Sequence, residues 1–590
     1  MYFKLLNNAY LSRLLRPIGS KYSTLSSDVK LSYTHCDVHN LNLIGKTVVE
    51  CFNDKVSEKP NEIAYKFCLH QQNFTFIELK QRVDEIAQNL LNMGFKKGDR
   101  LSIMLPNIPE FMLTSLACAS IGVISALMNP AYQLVEIEYM LKKTQSKGIV
   151  IMDNFKSLKH YENLSKICPE LESTKPGELK SVNLPDLKHV IVANLDKKSQ
   201  VNYRGTWNFD RDLKKFNGNV QVFPHIDLDD MLAMIFTSGT TGLPKVATIR
   251  NHTAVNSSFL EHHYPGCSNS NRIVCIPIPL FHIFGYVIGA LSTITNGNQT
   301  VFPNILPDTL STMKSIQNEK CTSLKGAPVI FHDIINHPER PKYDLSSLES
   351  MLIGASVVPK DLLLKIKKDL NLKHVIVGYG MTETGSVGSL TRCDDIQKSE
   401  KFAYETIGKG FPHVEAKIID PISKKITPRN TDGELCLRGY NIMTEYWDDP
   451  VKTAESIDKN GWFYTGDICS MDEHGYLYFK SRAKEIVIRG GVNIYPAEVE
   501  RFLRTNEKVL ECFVVGVPDE RFGEELCAWV KLKSNNEMNE KELKDFCKDK
   551  IAYFKIPKYV KFVDSFPINA TGKVQKFKMV EQMKNELKLN

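Results

Sequence analysis

The cysteines of this chain show none of the close spacing that metal modules and redox dithiols need. Fourteen cysteines are scattered over 590 residues, and even the nearest two, Cys267 and Cys275, are eight positions apart. No C-x-x-C sequence occurs. These absences argue against a zinc module or a redox dithiol. They favour buried thiols in a reducing compartment.

Uncharged runs long enough to cross a membrane are also scarce. Residues 111–128 (FMLTSLACASIGVISALM) form an uncharged stretch of 18 residues, which only just reaches the length of a transmembrane helix. Its Ser, Thr, Gly and Ala content makes it weakly apolar. The stretch therefore predicts a buried helix that runs into a core strand, and we expect no transmembrane segment.

Acidic residues are absent before Asp28. Lys4, Arg13, Arg16 and Lys21 lie in this stretch among many Leu, Tyr and Ser residues. Such a composition is typical of a mitochondrial transit peptide, here residues 1–27, and a disordered basic N-terminus is the alternative. Without these four charges the net charge falls from +7 to +3. The remaining chain is therefore not basic enough to require a nucleic-acid partner.

Helical and strand-like patterns alternate from about residue 47 to about residue 390. Residues 76–93 carry apolar residues at helical spacing, and residues 101–105 predict a strand. The cycle recurs with a helix at 132–144 and a strand at 148–152. This alternation predicts doubly wound α/β architecture. Residues 153–225, rich in Lys, Asn, Asp and Ser, show the least pattern and are expected to form variable loops.

The pattern changes beyond residue 390. Short strand-like runs at 415–419, 433–438 and 475–479 are separated by turns and predict a more antiparallel, β-rich subdomain. The last hundred residues alternate helices and strands in a way that indicates a separate small α+β unit. The predicted fold class is therefore α/β, with doubly wound α/β subdomains, a β-rich subdomain and a small C-terminal α+β domain.

Residues 237–245 (TSGTTGLPK) form the strongest candidate binding loop, and they follow an apolar run that predicts a buried strand. The two glycines allow backbone N–H groups to approach an anion, while the hydroxyls add donors and Lys245 adds a cation. The spacing excludes a Walker-type loop, which needs Gly-Lys where this chain has Pro244-Lys245. The loop predicts a phosphate site of another kind.

Residues 378–385 (GYGMTETG) follow a second predicted strand. Glycines beside an aromatic ring leave a flat slot in which a planar base could lie against Tyr379. Thr382 and Glu383 would then bring a hydroxyl and a carboxylate close to phosphates. A carboxylate beside a triphosphate is repelled unless a cation bridges them, so Glu383 is a candidate Mg²⁺ ligand. A glycine-rich turn with a solvated glutamate is the alternative.

Three further residues are candidates for nucleotide contacts. Asp467, after the tight turn in WFYTGD, could accept one hydrogen bond on each carboxylate oxygen from a ribose diol. Arg482 offers a fixed fork of donors for phosphate or ribose oxygens. Lys573 lies on a Thr-Gly turn near the C-terminus. Such a lysine is normally only solvated, but the other sites require a cation where negative charge develops.

Seven motifs of this chain, taken together and in this order, resemble the signature motifs of the adenylate-forming enzymes. They are TSGTTGLPK (237–245), PLFHIFG (279–285), GYGMTETG (378–385), GELCLRG (433–439), WFYTGD (462–467), SRAKEIVIRGGVNIYP (481–496) and NATGKVQK (569–576). The resemblance runs from about residue 40 to the end. Its details look most like the mitochondrial medium-chain fatty acyl-CoA synthetases. It implies ATP-dependent conversion of a fatty acid to acyl-CoA through an acyl-adenylate, in the mitochondrial matrix, with Mg²⁺ as cofactor and CoA as co-substrate.

The resemblance also implies a role for each matching residue. Tyr379 would pack on adenine, Asp467 and Arg482 would hold the ribose, Thr382 and Glu383 would serve phosphate and Mg²⁺, and Lys573 would bridge the substrate carboxylate and the α-phosphate. His282 and Gly285 would border the acyl tunnel, and Gly490 and Gly491 would line the route of CoA. The loop that would wrap the ATP phosphates consists of Thr237, Ser238, Gly239, Thr240, Thr241, Gly242, Leu243, Pro244 and Lys245.

The family places a hinge between its two domains at the position of Lys484. The resemblance therefore implies an N-terminal AMP-binding domain over 28–483 and a mobile C-terminal AMP-binding domain over 484–590. Three departures from the family pattern touch the hinge and the adenine wall. Ser481 replaces a common glycine, Val492 replaces a frequent glutamate, and Gly354-Ala355-Ser356 stands where Gly-Gly-Ala-Pro is common.

Other readings of the same motifs remain open. A luciferase-like enzyme, or another adenylate-forming enzyme acting on a non-fatty carboxylic acid, would share the motifs up to the adenylate. A non-enzymatic nucleotide-binding protein would need a broken catalytic set, whereas Glu383, Asp467, Arg482 and Lys573 are all present. The length of the acyl chain and the oligomeric state are not encoded in these motifs.

Overall fold

The computed structural model describes most of the chain from residue 30 onward. The described residues are 30–36, 41–153, 155, 158–195, 202–216, 218–237, 244–264, 272–356, 358–489, 492–519, 522–534, 536–548, 550–551, 553–568 and 573–588. The predicted transit peptide, residues 1–27, lies outside them.

Two largely parallel sheets organise the larger part of the molecule. The first has seven strands, in the spatial order Lys245–Arg250, Met231–Thr237, Ile124–Leu127, Arg100–Met104, Gly148–Met152, His189–Ala193 and Trp207–Asn208. The second has nine, in the order Lys409–Gly410, Ser389–Leu390, His374–Tyr379, Ser350–Ile353, Ser323–Gly326, Ile273–Cys275, Gln299–Phe302, Ile63–Phe67 and Gln72–Thr75. Antiparallel pairs occur only at the sheet edges among these strands. The predicted doubly wound α/β architecture is confirmed.

Two smaller sheets complete the fold. An antiparallel sheet orders its strands Tyr33–His35, Val414–Ile419, Gly433–Gly439, Phe463–Met471 and Leu477–Arg482, which confirms the β-rich subdomain. The C-terminal sheet contains Val492–Ile494, Val487–Arg489, Gly523–Leu532, Val509–Asp519 and Tyr559–Phe562. The chain passes from one to the other through a single 3₁₀ turn, Ala483–Glu485. Lys484 lies in that turn.

Helices cover the faces of these sheets. Within the described residues the α-helices are Val48–Glu58, Phe76–Asn92, Pro109–Ile121, Leu134–Thr144, His160–Ile167, Asn251–His263, Leu291–Asn296, Thr309–Glu319, Pro328–Asn336, Lys360–Asp369, Asp395–Lys398, Glu400–Tyr404, Pro450–Ser456, Pro496–Leu503, Glu540–Cys547 and Lys576–Leu587. Segments Phe209–Leu213 and Phe284–Ala290 are π-helical. Single 3₁₀ turns occur at Pro169–Ser173, Arg340–Lys342, Thr382–Thr384, Ala483–Glu485 and Tyr553–Lys555.

The uncharged stretch 111–128 is confirmed as a buried helix followed by a core strand. Every residue of the helix Pro109–Ile121 is buried. Gly122 ends it at a φ of 68°, a left-handed conformation that glycine adopts without steric cost. The strand Ile124–Leu127 then enters the seven-stranded sheet with all four residues buried. No helix among the described residues is long and apolar enough to cross a membrane.

Two sequence-based expectations differ from the structure. Residues 153–225 are not only loops, because His189–Ala193 is a fully buried parallel strand of the seven-stranded sheet. Its short apolar run is masked in the sequence by the polar residues around it. The largely apolar run of residues 284–295 predicts a helix, and a helix forms there, but its first part, Phe284–Ala290, is a π-helix rather than an α-helix.

The expectation of buried thiols is largely confirmed. Among the residues that the structure describes, twelve cysteines are free, and ten of these are buried. Cys393 differs because it is joined in a disulfide bond, so the expectation of a free thiol is wrong at this position.

Candidate active site

The site is organised around the carboxylate of Asp467, which the antiparallel sheet places directly opposite Arg482. Asp467 is only 2% exposed, and its Oδ2 accepts a 2.7 Å hydrogen bond from the Tyr379 hydroxyl. Its Oδ1 lies 3.3 Å from Arg482 Nε in an ion pair. Within the described residues, however, Oδ1 accepts no hydrogen bond despite being buried. A buried carboxylate oxygen without a donor is costly unless a ligand supplies one.

Burial and the neighbouring groups have opposite effects on the pKa of this carboxylate. Burial raises the pKa of Asp467, while Arg482, the Tyr379 hydroxyl and Lys573 oppose that shift. Burial by itself would lower the pKa of Arg482, but the carboxylates of Asp467 and Glu485 raise it. The ion pair therefore opposes the loss of charge that burial favours at Asp467, while the Arg482 side chain stays partly exposed to water.

Glu383 connects the loop 378–385 to the phosphate loop. Its Oε1 accepts a 2.8 Å hydrogen bond from the Tyr446 hydroxyl, and its backbone carbonyl accepts from Met443 N–H. The ring of Tyr446 in turn lies beneath Lys245, whose Nζ is 4.3 Å from the ring centroid. A single tyrosine thus contacts both the predicted Mg²⁺ ligand and the lysine of the predicted phosphate loop.

Lys573 reaches this site from the C-terminal part of the chain. Its side chain faces solvent on one side, yet protein atoms surround it on the others. Burial and the neighbouring Arg482 lower its pKa, whereas the carboxylates of Asp467 and Glu383 raise it. The structure therefore brings the four candidate charged residues into one electrostatic neighbourhood, although they lie in four separate motifs.

His282 lies near enough to Lys573 for the lysine charge to influence it. Burial, together with the positive charge of Lys573, lowers the pKa of His282 to about 3. Its Nδ1 accepts a 3.3 Å hydrogen bond from the Phe284 N–H, as a neutral imidazole can. Gly285 follows at the start of the π-helix, where its backbone packs closely on Pro279.

Comparison with known proteins decides the family. The AMP-binding enzyme family matches residues 52–447, and the family of AMP-binding enzyme C-terminal domains matches residues 498–573. This chain belongs to the AMP-binding enzymes. The predicted domain boundary at residue 484 falls between the two matched regions and stays a prediction.

Relatives within this AMP-binding family match nearly the whole chain. The medium-chain acyl-CoA ligase ACSF2, mitochondrial, of Danio rerio is 39% identical over 94% of this chain and 91% of its own length. The Homo sapiens protein of the same name is 38% identical, covering 95% of this chain and 91% of its own. The fold resembles that of ATP-bound MatB from Rhodopseudomonas palustris, with a TM-score of 0.78, 24% identity, and coverage of 92% and 99%.

The predicted site residues of this AMP-binding enzyme fall into two groups. Tyr379, Thr382, Glu383, Asp467, Arg482, Lys573, His282 and Gly285 lie in the described part of the chain. Thr237 ends the strand before the loop and Lys245 begins the strand after it, so the two lie opposite each other, and the Pro244 carbonyl accepts a 3.1 Å hydrogen bond from Tyr139 Oη. Residues outside the described ranges are Ser238, Gly239, Thr240, Thr241, Gly242, Leu243, Gly490 and Gly491. The roles of the residues in both groups remain predictions.

Sequence reasoning missed three residues that support the site. Tyr446 links Glu383 and Lys245, as described above. Asn441, fully buried, donates to the carbonyls of Thr384 and Val387 and so fixes the end of the loop 378–385. Glu485 adds a carboxylate near Asp467 and Lys573. All three lie within or just after motif stretches, but the contacts that they make are remote in sequence.

Gly285→Ala tests whether close packing at the start of the π-helix matters. A Cβ at this position would meet the Pro279 carbonyl oxygen at 2.2 Å, so the backbone must shift. We expect a loss of stability of about 1–3 kcal/mol, the usual cost of overpacking, together with a raised KM for the acid. Gly45→Ala is the matched control, since a Cβ there meets nothing within 4 Å. Equal behaviour of the two variants in denaturant unfolding would contradict the packing argument.

The neutral state of His282 predicts a pH dependence of stability. Its pKa of about 3 in the folded protein lies below its ordinary value of 6.5. Between these values the unfolded chain binds a proton that the folded protein does not, so the stability contribution is full above pH 6.5 and falls on acidification. The slope is about 1.4 kcal/mol per pH unit. His282→Gln should flatten the fall in unfolding free energy between pH 6.5 and pH 5, and an unchanged slope would contradict a neutral His282.

Proposed function

We propose that this chain converts a medium-chain fatty acid to its CoA thioester, using ATP and forming an acyl-adenylate on the way. The observation that carries the proposal is the convergence of Asp467, Arg482, Glu383 and Lys573 on one site, with a buried Asp467 oxygen that lacks a donor. A nucleotide ribose supplies such a donor, and the lysine supplies a cation where phosphate charge develops.

Each group has a part in holding ATP. The loop from Thr237 to Lys245 would wrap the phosphates, while Tyr379 would pack on adenine. Asp467 Oδ1 would accept from a ribose hydroxyl, with Arg482 holding the carboxylate in its charged form. Tyr446 would hold Glu383 and the phosphate-loop lysine in a fixed relation. Little reorganisation would be needed when ATP binds, because these side chains already contact one another.

Glu383 is the residue that would hold Mg²⁺. No group of three or more His, Cys, Asp or Glu side chains among the described residues could bind a metal alone. One protein carboxylate combined with phosphate oxygens is a common way to bind this ion, so the donor set fits Mg²⁺ delivered with ATP. The ion would neutralise phosphate charge and polarise the phosphoryl oxygens.

The first half-reaction joins two anions. A carboxylate oxygen of the acid attacks the α-phosphorus of ATP, the bond to the bridging oxygen breaks, and pyrophosphate leaves with the electron pair. Lys573 would lie beside the acid carboxylate and the α-phosphate and reduce their repulsion. His282, neutral beside Lys573, would border the acid without adding a second positive charge.

The second half-reaction forms the thioester. The sulfur of CoA, after losing its proton to solvent, attacks the acyl carbonyl, and the carbon–oxygen bond to AMP breaks. Lys573 occupies the place that this attack needs, so the C-terminal domain would rotate about Lys484 and bring Gly490 and Gly491 to the site. Such exchange of two domain positions is a common way to separate two chemical steps.

The relatives support a proposal about the acid and the compartment. Proteins named mitochondrial medium-chain acyl-CoA ligases match this chain over more than nine-tenths of its length. We therefore propose a medium-chain acid as substrate, with acid-thiol ligase activity in the mitochondrial matrix. The transit peptide proposed for residues 1–27 agrees with that location.

The experiment is a panel of straight-chain acids from acetate to stearate, with aromatic acids included. CoA-dependent release of AMP is measured for each acid, in parallel with emitted light and peroxide. We expect acid-dependent AMP and acyl-CoA in equal amounts, highest for acids near octanoate. Light or peroxide without acyl-CoA would instead support the luciferase-like reading, and no pyrophosphate with any acid would support a non-enzymatic nucleotide-binding protein.

A further inference from the structure

A fully buried ion pair lies in the interior of the protein, outside the motifs that are predicted to hold ATP. Lys325 Nζ contacts Glu261 Oε2 at 2.5 Å, and their side chains are 1% and 2% exposed. The ammonium group also donates to the Ile288 carbonyl at 3.0 Å. Three elements therefore meet at this lysine: an inner strand of the nine-stranded sheet, the helix Asn251–His263, and the π-helix Phe284–Ala290.

Removing these two charges from water costs free energy. The presence of the pair therefore needs an explanation. Burial lowers the pKa of Lys325, and Glu261 opposes that shift. Arg272 adds a further positive charge nearby. Well-packed apolar residues of similar volume are often as stabilising as a buried ion pair, or more so. Stability alone is therefore a weak explanation, and a role in specificity deserves a test.

The position of the pair relates it to the acyl substrate. On the helix Asn251–His263, Ser257 packs against Gly385 of the loop 378–385. Glu261 follows Ser257 by four residues, so it lies on the same helix face about 6 Å further on, at 1.5 Å of rise per residue. On the second wall, Ile288 follows His282 by six residues. The pair is therefore connected to the loop 378–385 through one helix, and to the segment of His282 and Gly285 through the π-helix whose Ile288 carbonyl Lys325 contacts.

The π-helix wall is held in place by side chains at the same depth. Besides Lys325 on Ile288, the buried hydroxyl of Tyr65 donates to the Ala290 carbonyl at 2.9 Å. The hydroxyl of Tyr286 contacts Ser115 Oγ at 2.7 Å. A π-helical segment is an uncommon conformation that is often found at functional sites. Its polar contacts here fix the wall that begins at His282 and Gly285.

We propose that the Lys325–Glu261 pair closes the far end of the acyl tunnel and limits the length of the acid that this enzyme accepts. An acyl chain that extended past the pair would separate two charges in an environment without water to solvate them. A shorter chain would end before the pair and leave it intact. The inference rests on the proposed function, because it assigns a specificity-determining role for the same substrate.

Double variants test the proposal, since a single substitution would leave an unpaired buried charge and could prevent folding. Lys325→Ala combined with Glu261→Ala removes both charges and opens space. We expect the ratio of kcat/KM for palmitate to that for octanoate to rise by about tenfold or more, because methylenes in a hydrophobic pocket are worth at least that much each. The kcat for octanoate should change far less.

A second double variant keeps the proposal testable if the alanine pair does not fold. Lys325→Met with Glu261→Met retains volume, but its flexible apolar side chains can move aside for a longer acid. The same ratio should rise, though less. The matched control is Lys66→Ala with Glu319→Ala, which removes a 2.6 Å ion pair elsewhere on the nine-stranded sheet. Its ratio should equal that of the unmodified enzyme.

The outcomes separate the inference from the function on which it rests. If the unmodified protein forms no acyl-CoA from any acid, the proposed function fails. If it uses octanoate but a folded double variant keeps the same palmitate-to-octanoate ratio, the ion pair has only a structural role and the inference is wrong. An equal rise in the Lys66–Glu319 control would also overturn it.

Discussion

Lys573→Ala is expected to slow formation of the acyl-adenylate by about 10²–10³-fold, the scale of losing one preorganised charge donor. The reason is electrostatic, because Lys573 is a cation from the C-terminal part of the chain whose pKa is shifted by the charges of Arg482, Asp467 and Glu383. Acid-dependent exchange of pyrophosphate into ATP measures this step. Thioester formation from supplied acyl-adenylate and CoA should be retained.

Lys578→Ala provides the matched control for this substitution. Lys578 lies five residues further on, exposed on the last helix, Lys576–Leu587. Removal of its charge changes the net charge equally without touching the site, so both half-reactions should proceed normally. Equal losses of both half-reactions in Lys573→Ala would contradict a lysine that serves only the first step.

Lys484→Pro is expected to produce the opposite pattern. Lys484 lies in the 3₁₀ turn Ala483–Glu485, between the last strand of the antiparallel sheet and the first strand of the C-terminal sheet. Proline fixes φ near −65°, so rotation about this residue is restricted. Pyrophosphate exchange should persist, whereas acyl-CoA formation should fall by on the order of 10²-fold or more, as misplacement of reacting groups does.

The control for the hinge is Lys484→Ala. Alanine removes the same side chain but leaves φ free, so both half-reactions should remain. The two variants together separate the backbone torsion from the lysine charge. A Lys484→Pro enzyme that forms acyl-CoA at the normal rate would show that the domains exchange position about some other residue.

Much of the fold was predictable because its signals are local. The start of the helix Phe76–Asn92 is signalled in the sequence by Thr75 and Glu78, whose side chains and backbone N–H groups form a capping box. The strand Gly148–Met152 is a short apolar run after a helix, and the structure has it with the same bounds as predicted. The strand His189–Ala193 was missed, since five apolar residues among polar ones do not outweigh the composition of the region.

The charged candidate residues of the site could be proposed from the sequence, but the residues that contact and position them could not. Asp467, Arg482, Glu383 and Lys573 stand in separate motifs, and it is the order of these motifs that resembles the adenylate-forming enzymes. Tyr446 lies 63 positions from the Glu383 that it contacts. Contacts of this kind depend on how sheets and loops pack, which local spacing does not encode. The π-helix was missed for the same reason, because side chains from distant elements, Lys325 and Tyr65, donate hydrogen bonds to its carbonyls.

The ion pair of Lys325 and Glu261 is another contact that could not be predicted from the sequence. The two residues are 64 positions apart, and neither belongs to a motif. In the sequence each would be assigned to a solvated surface, as charged residues usually are. Only the packing of the sheet against the helix and the π-helix places them together in the interior.

The most direct test of a reaction through an acyl-adenylate begins without CoA. The protein is mixed with ATP, Mg²⁺ and octanoate, and bound products are identified by mass spectrometry before and after CoA is added. We expect octanoyl-adenylate and pyrophosphate in the first stage, followed by octanoyl-CoA and AMP in equal amounts in the second. Release of ADP and phosphate, or AMP formation that does not depend on the acid, would contradict it.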